Sequence, residues 1–203
     1  MPASSTPGAT FAWDSDHSPR WSPDGCWIAF LSSRPDYTQP PPDDEDAAPV
    51  DQIWLLPSAG GEAFRLTQSK EGIRSFEWTP DSKSIIYLTS EPRTPASQFP
   101  QDEKRKQKND AVVENGEKLR RQFWVVNVEE RKSDLIFPGD FGIADFSLSP
   151  DGLQIAFTSN ETGEVNDYHR HRLFVLDISP GASTGPIPID CRPGSKFNPR
   201  WSP

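Results

Sequence analysis

The residues best placed for chemistry lie near the C-terminal end, where Gly181-Ala-Ser183-Thr-Gly185 spells G-x-S-x-G. In an α/β-hydrolase that pentapeptide bends a strand sharply into a helix and lifts the serine hydroxyl out as a nucleophile. A base must then take the hydroxyl proton, and the hydrolase order places the acid and then the histidine after the serine. Here Pro186 and Pro188 come next, which oppose a helix, and the histidines His17, His169 and His171 all precede Ser183. The pattern is therefore expected to be a loop of small residues, and no catalytic residue is assigned to this chain.

A second cluster, His169-Arg170-His171-Arg172, is basic and titratable. Its arginines could fork onto a carboxylate, or its histidines could share a metal. Only Asp167 stands near as a further ligand, so an exposed junction between loop and strand is expected, with neither metal nor cofactor. Asp24, Asp81 and Asp151 recur at equivalent places and could pass for a repeated acid, yet each is placed to bond the backbone of its own turn. Trp21, Trp78 and Trp201 recur too, and suit packing between repeats better than ligand stacking. Cys26 and Cys191 lie far apart; Cys26 falls in an apolar strand pattern, and no disulfide framework is expected.

These residues are set by a repeat. The strings RWSPDGCWIAF at 20–30, EWTPDSKSIIY at 77–87 and SLSPDGLQIAF at 147–157 are copies of one pattern, and RWSP at 200–203 begins a fourth. Their prolines Pro23, Pro80, Pro150 and Pro203 are 57, 70 and 53 residues apart, somewhat longer than the ~40–50 of familiar propeller repeats. Ser-Pro-Asp-Gly reads as a type I turn with glycine in the left-handed position of a hairpin bulge. Ser82 replaces that glycine in the second copy, at an expected strain on the order of 1 kcal/mol if the conformation is kept.

A third strand is predicted at 52–56, 122–128 and 172–178, and a fourth at 63–67, 133–137 and 187–189. The predicted fold class is all-β, a partial β-propeller of about three four-stranded antiparallel blades plus the start of another. A disordered N-terminus is expected over 1–12, with blades at about 13–70, 71–140 and 141–192 and a truncated blade at 193–203. Two loop insertions interrupt them, at 34–50 and 92–118. The first holds the acidic, proline-rich stretch 35–46; the second holds Lys104-Arg-Lys-Gln-Lys108, flanked by acids and read as a solvated loop.

Composition narrows the function further. A net charge of -9 and a pI near 4.8 oppose nucleic-acid binding, because a phosphate backbone would be repelled. Twenty-two prolines and a mean hydropathy of -0.69 mean that much of the chain is loop. No stretch approaches the apolar length of a membrane span, and residues 1–10 lack a signal-peptide pattern, so a cytoplasmic protein without membrane contact is expected.

The turn and strand pattern resembles the propeller repeats of the prolyl oligopeptidase family of serine peptidases and the WD40-like repeats of TolB-like proteins. The order of parts, SPRWSPDG at 18–25, IWLLPSAGGEAFRLT at 53–67 and LFVLD at 173–177, looks like the acylaminoacyl-peptidase or dipeptidyl-peptidase type. It covers nearly the whole chain from about residue 13. The resemblance implies an N-terminal propeller that admits peptides and excludes folded proteins, and a C-terminal α/β-hydrolase domain that supplies serine, aspartate and histidine. The chain reaches Pro203 before any such domain, so the expectation is a non-catalytic propeller fragment whose peptide substrates require a longer enzyme. The alternative is a non-enzymatic TolB-like module for protein–protein interaction. Three blades leave open edges, and self-association through them is expected.

Overall fold

Between its turns the chain supplies short runs of β-branched and aromatic residues, too short for helices and suited to a pleated surface. The computed structural model describes residues 15–36, 49–90, 120–160, 171–182, 184–189 and 194–202, with the side chains of 139–141 excepted. Regular structure among the described residues is entirely strand.

Strands β1 (His17–Trp21), β2 (Trp27–Ser32), β3 (Gln52–Pro57) and β4 (Phe64–Arg65) form one antiparallel sheet in chain order. Strands β5 (Ile73–Trp78), β6 (Ser84–Ser90), β7 (Arg121–Asn127) and the first part of β8 (Ser133–Leu148) form the second. The rest of β8, with β9 (Gln154–Asn160), β10 (Arg172–Asp177) and β11 (Ile187–Ile189), forms the third. The predicted third and fourth strands are all present. The fourth strand of the second blade and the first strand of the third are one continuous strand. Strand β8 runs through Pro138 and Gly139 for 16 residues and belongs to both. Proline tolerates this because its fixed φ suits extended chain, and only a ladder hydrogen bond is lost.

The chain divides into two compact units, residues 1–89 with 124–135 and residues 90–123 with 136–203. In the first, Leu31, Ile53, Leu55, Phe76, Trp78, Ile85 and Val126 are all buried in a single cluster. Successive residues of β3 from Gln52 to Leu55 are buried, as expected of a strand covered on both faces. In the second unit the buried side chains include Phe123, Ile143, Phe146, Ile155, Phe157 and Phe174.

The three repeat turns share one backbone. Gly25, Ser82 and Gly152 stand at φ 72°, 61° and 75°. Ser82 thus keeps the glycine conformation, and its hydroxyl accepts a hydrogen bond from the Asp24 backbone N–H at 3.0 Å, 58 residues earlier. A bond of this kind contributes about 1 kcal/mol, the same size as the strain of a left-handed serine, and so offsets it. The departure from glycine ties the turn of the second blade to that of the first.

Candidate functional site

The recurring aspartates are built identically. Ser22 Oγ donates to Asp24 Oδ1 at 2.6 Å, Thr79 Oγ1 to Asp81 Oδ1 at 2.7 Å and Ser149 Oγ to Asp151 Oδ1 at 2.5 Å. Each carboxylate also accepts a backbone N–H two residues on, from Cys26, Lys83 and Leu153 at 2.9, 3.1 and 3.0 Å. The hydroxyls in turn accept from the backbone N–H of Trp27, Ser84 and Gln154. Asp177 repeats the device with Ser179 outside the motif. These carboxylates close turns and are not free to act as acids.

The donors favour the ionised form, the side-chain hydroxyl most and the backbone N–H next, so all four carboxyls are held below the usual carboxylate range. A depressed pKa means that the fold binds fewer protons than the unfolded chain. The resulting stability is complete above the unfolded value of about 4 and is lost as pH falls through the depressed values. The melting temperature is therefore expected to stay level from neutral pH to about 5 and to drop below about 4. Asp151→Asn keeps an acceptor without the charge and should flatten that acid limb; an unchanged limb in a chain with all four substituted by asparagine would refute the assignment.

The G-x-S-x-G segment lies in the loop between β10 and β11. Gly181 has φ 88°, and the next element, β11, is a strand that pairs back on β10, so the helix a nucleophile elbow requires is not there. Ser183 itself lies outside the described residues, as do His169, Arg170, Asp167 and Cys191. His171 departs from expectation. It is buried, its ring lies 5.4 Å from that of Phe197, and its carbonyl accepts from the Lys196 N–H at 3.1 Å. The 194–202 segment covers it. Arg172 remains exposed, with its guanidinium 5.9 Å from the Phe174 ring. Among the described residues no three His, Cys, Asp or Glu side chains gather as a metal site would require.

Two further expectations are corrected. Cys26 sits in the turn before β2 and not in a strand, and it is free and exposed; the Asp24 charge pushes its thiol pKa up, away from a reactive thiolate. Trp78 is packed as expected at 8% exposure, but Trp21 is 61% exposed.

Sequence reasoning missed two arrangements. His17 Nδ1 bonds Ser18 Oγ at 3.1 Å while Nε2 bonds Asp51 Oδ2 at 3.1 Å, the three residue types of a hydrolase triad but with the two ring nitrogens exchanged, since a triad sets the serine on Nε2 and the carboxylate on Nδ1. His17 and Asp51 have 48% and 35% of their side chains in water, where such pairs are weak and developing charge goes unsupported. The other is Arg34, whose guanidinium lies 4.1 Å from the Trp54 ring centre and 4.9 Å from that of Phe30, with Asp16 at 3.9 Å. Its side chain is only 7% exposed, and burial lowers its pKa against the opposing pull of Asp16. An arginine just beyond the apolar run 27–31 was the available signal. It clamps the end of β2 to β3.

Four-stranded antiparallel blades, opened by a repeated turn and paired in strict chain order, define part of a β-propeller. The comparisons agree with that fold. Over 172 residues, 78% of this chain, the sequence is 30% identical to the uncharacterized peptidase YuxL of Bacillus subtilis (strain 168), of which the match spans 24%. The acylaminoacyl peptidase of Pyrococcus horikoshii matches with a TM-score of 0.51 at 16% identity, over 88% of this chain and 25% of that one. The tricorn protease matches with a TM-score of 0.50 at 13% identity, over 83% and 14%. No protein-family model matches. The chain thus spans about a quarter of the curated relative, and the resemblance to peptidase propellers drawn from the repeat is met by both kinds of relative.

Proposed function

We propose that the chain is the propeller portion of a serine oligopeptidase, which gates peptide access to a hydrolase domain and supplies no catalytic residue itself. The observation that carries this reading is the 30% identity to a peptidase across 78% of a chain made of propeller blades. The turns support it: their hydroxyls and carboxylates are committed to the backbone, leaving a scaffold and not a reaction centre.

Two experiments test it together. DNA on both sides of the 203 codons is expected to continue the frame with further blades and a G-x-S-x-G followed by aspartate and histidine. The 203-residue chain alone is expected to resist a fluorophosphonate probe, while the longer product is labelled and cleaves short peptides but not folded proteins. Labelling of Ser183 or Ser18 in the isolated chain would sink the proposal, as would a stop codon within an intact, translated message that lacks a hydrolase domain.

A further inference from the structure

The facing residues of the first two blades lie within the first compact unit. Alternate positions meet at the seam: Leu31, Ile53 and Leu55 from one sheet and Phe76, Ile85 and Val126 from the other, all in one buried cluster. Apolar burial presses the sheets together but is non-directional, so it does not by itself fix one sheet on the other.

Directional contacts do so on all four sides of the seam. At the first-strand edge, Trp78 Nε1 donates to the Arg20 carbonyl at 3.3 Å. At the turn end, the Asp24 N–H donates to Ser82 Oγ at 3.0 Å. At the opposite end, the N–H of Ile73, the first residue of β5, donates to the Asp51 carbonyl just before β3 at 2.8 Å. The linker between the sheets is held there from both. Gln52 Nε2 donates to the Ser69 carbonyl at 2.7 Å and Gln52 Oε1 accepts from the Ser69 N–H at 2.8 Å, so a side-chain amide pairs with the linker as a strand would. Ser69 Oγ lies 2.9 Å from Thr89 Oγ1 near the end of β6, which donates to the Gly72 carbonyl at 2.6 Å. At the last-strand edge, the Arg131 guanidinium, from the turn between β7 and β8, lies 4.4 Å from the ring centre of Phe64 on β4.

We propose that the first two blades are the fixed side of the gate: they move as one body, and the seam between them stays shut while peptides pass. This rests on the reading of the chain as a gating propeller. Opening about any one edge would spare the contact at that edge and break those at the other three, together with the apolar cluster. Gating motions are drawn from the least stable contacts of a fold, and this seam lies at the other extreme.

Thiol labelling of the 203-residue chain tests this from inside the seam. Val126→Cys, with Cys26 and Cys191 changed to serine, places one thiol at a fully buried position of the cluster, and Ala29→Cys on β2 gives a second reporter from the facing sheet. Reaction with a bulky aromatic disulfide reagent is expected to follow global unfolding, its rate rising with urea as steeply as the unfolding transition. Labelling about tenfold faster than that, with little dependence on urea, would mean that the seam opens in the folded chain and would overturn the proposal. In the longer product, a short bis-maleimide joining Cys26 to Lys83→Cys closes the seam covalently, since both positions are exposed and flank the bond between Asp24 and Ser82. The bridged enzyme is expected to keep its kcat/KM for short peptides within about twofold, and a loss of about tenfold on bridging would overturn the proposal. A longer product without peptidase activity would refute the oligopeptidase reading alone, and the labelling rate would still decide whether the seam opens.

Discussion

Phe157→Ala is expected to cost about 3–5 kcal/mol, enough to remove a large part of the stability of a domain this size. Phe157 is fully buried on β9 and stands at the middle of a line of rings. It meets Phe123 edge-on at 5.5 Å and stacks on Phe174 at 5.4 Å, while Phe123 meets Phe146 edge-on at 5.2 Å. Its partners come from β7, β8 and β10; β10 pairs with β9 through an unbroken ladder, and β8 pairs with β9 in one register from Asp145 to Leu148, beyond a shift between Ile143 and Asp145. Those ladders keep the walls apart, so the cavity left by a deleted ring cannot collapse, and the upper part of the range applies. Phe157→Leu retains most of the volume and is expected to cost less than half as much. Urea unfolding measures both; a loss below about 1 kcal/mol for the alanine variant would contradict the packing described.

The second large effect concerns Trp78, where burial and hydrogen bonding can be separated. Its indole is part of the core cluster of the first unit and its N–H reaches the Arg20 carbonyl. Trp78→Ala removes both and is expected to cost about 3–5 kcal/mol. Trp78→Phe keeps an aromatic ring in the cluster and removes the donor, which leaves the Arg20 carbonyl on an exposed residue that water can serve; about 1–2 kcal/mol is expected. Thermal or urea denaturation of the two variants gives the ratio. Equal losses would mean that the hydrogen bond, and not apolar burial, is the main contribution of this side chain.

Much of the fold was legible because it is local. The predicted third strands at 52–56, 122–128 and 172–178 lie within a residue of β3, β7 and β10 at each end, since turn residues bound each apolar run. The left-handed backbone at Ser82 followed from aligning it with Gly25 and Gly152. What escaped the sequence depends on partners far along the chain. Nothing near Ser82 announces a bond to the Asp24 N–H, and nothing near His171 announces the cover given by Phe197. The continuity of β8 through Pro138-Gly139 escaped for a different reason. The two ends of β8 serve different sheets, so the stretch between them needs only to be extended, and no reversal of direction is required there.

Within each sheet every strand pairs with the strand next to it in sequence. During synthesis, therefore, no strand has to wait on the ribosome for a distant partner. Each hairpin can zip as its second arm emerges, with small loop-closure entropy, and the blades can form one after another in the order in which they are translated.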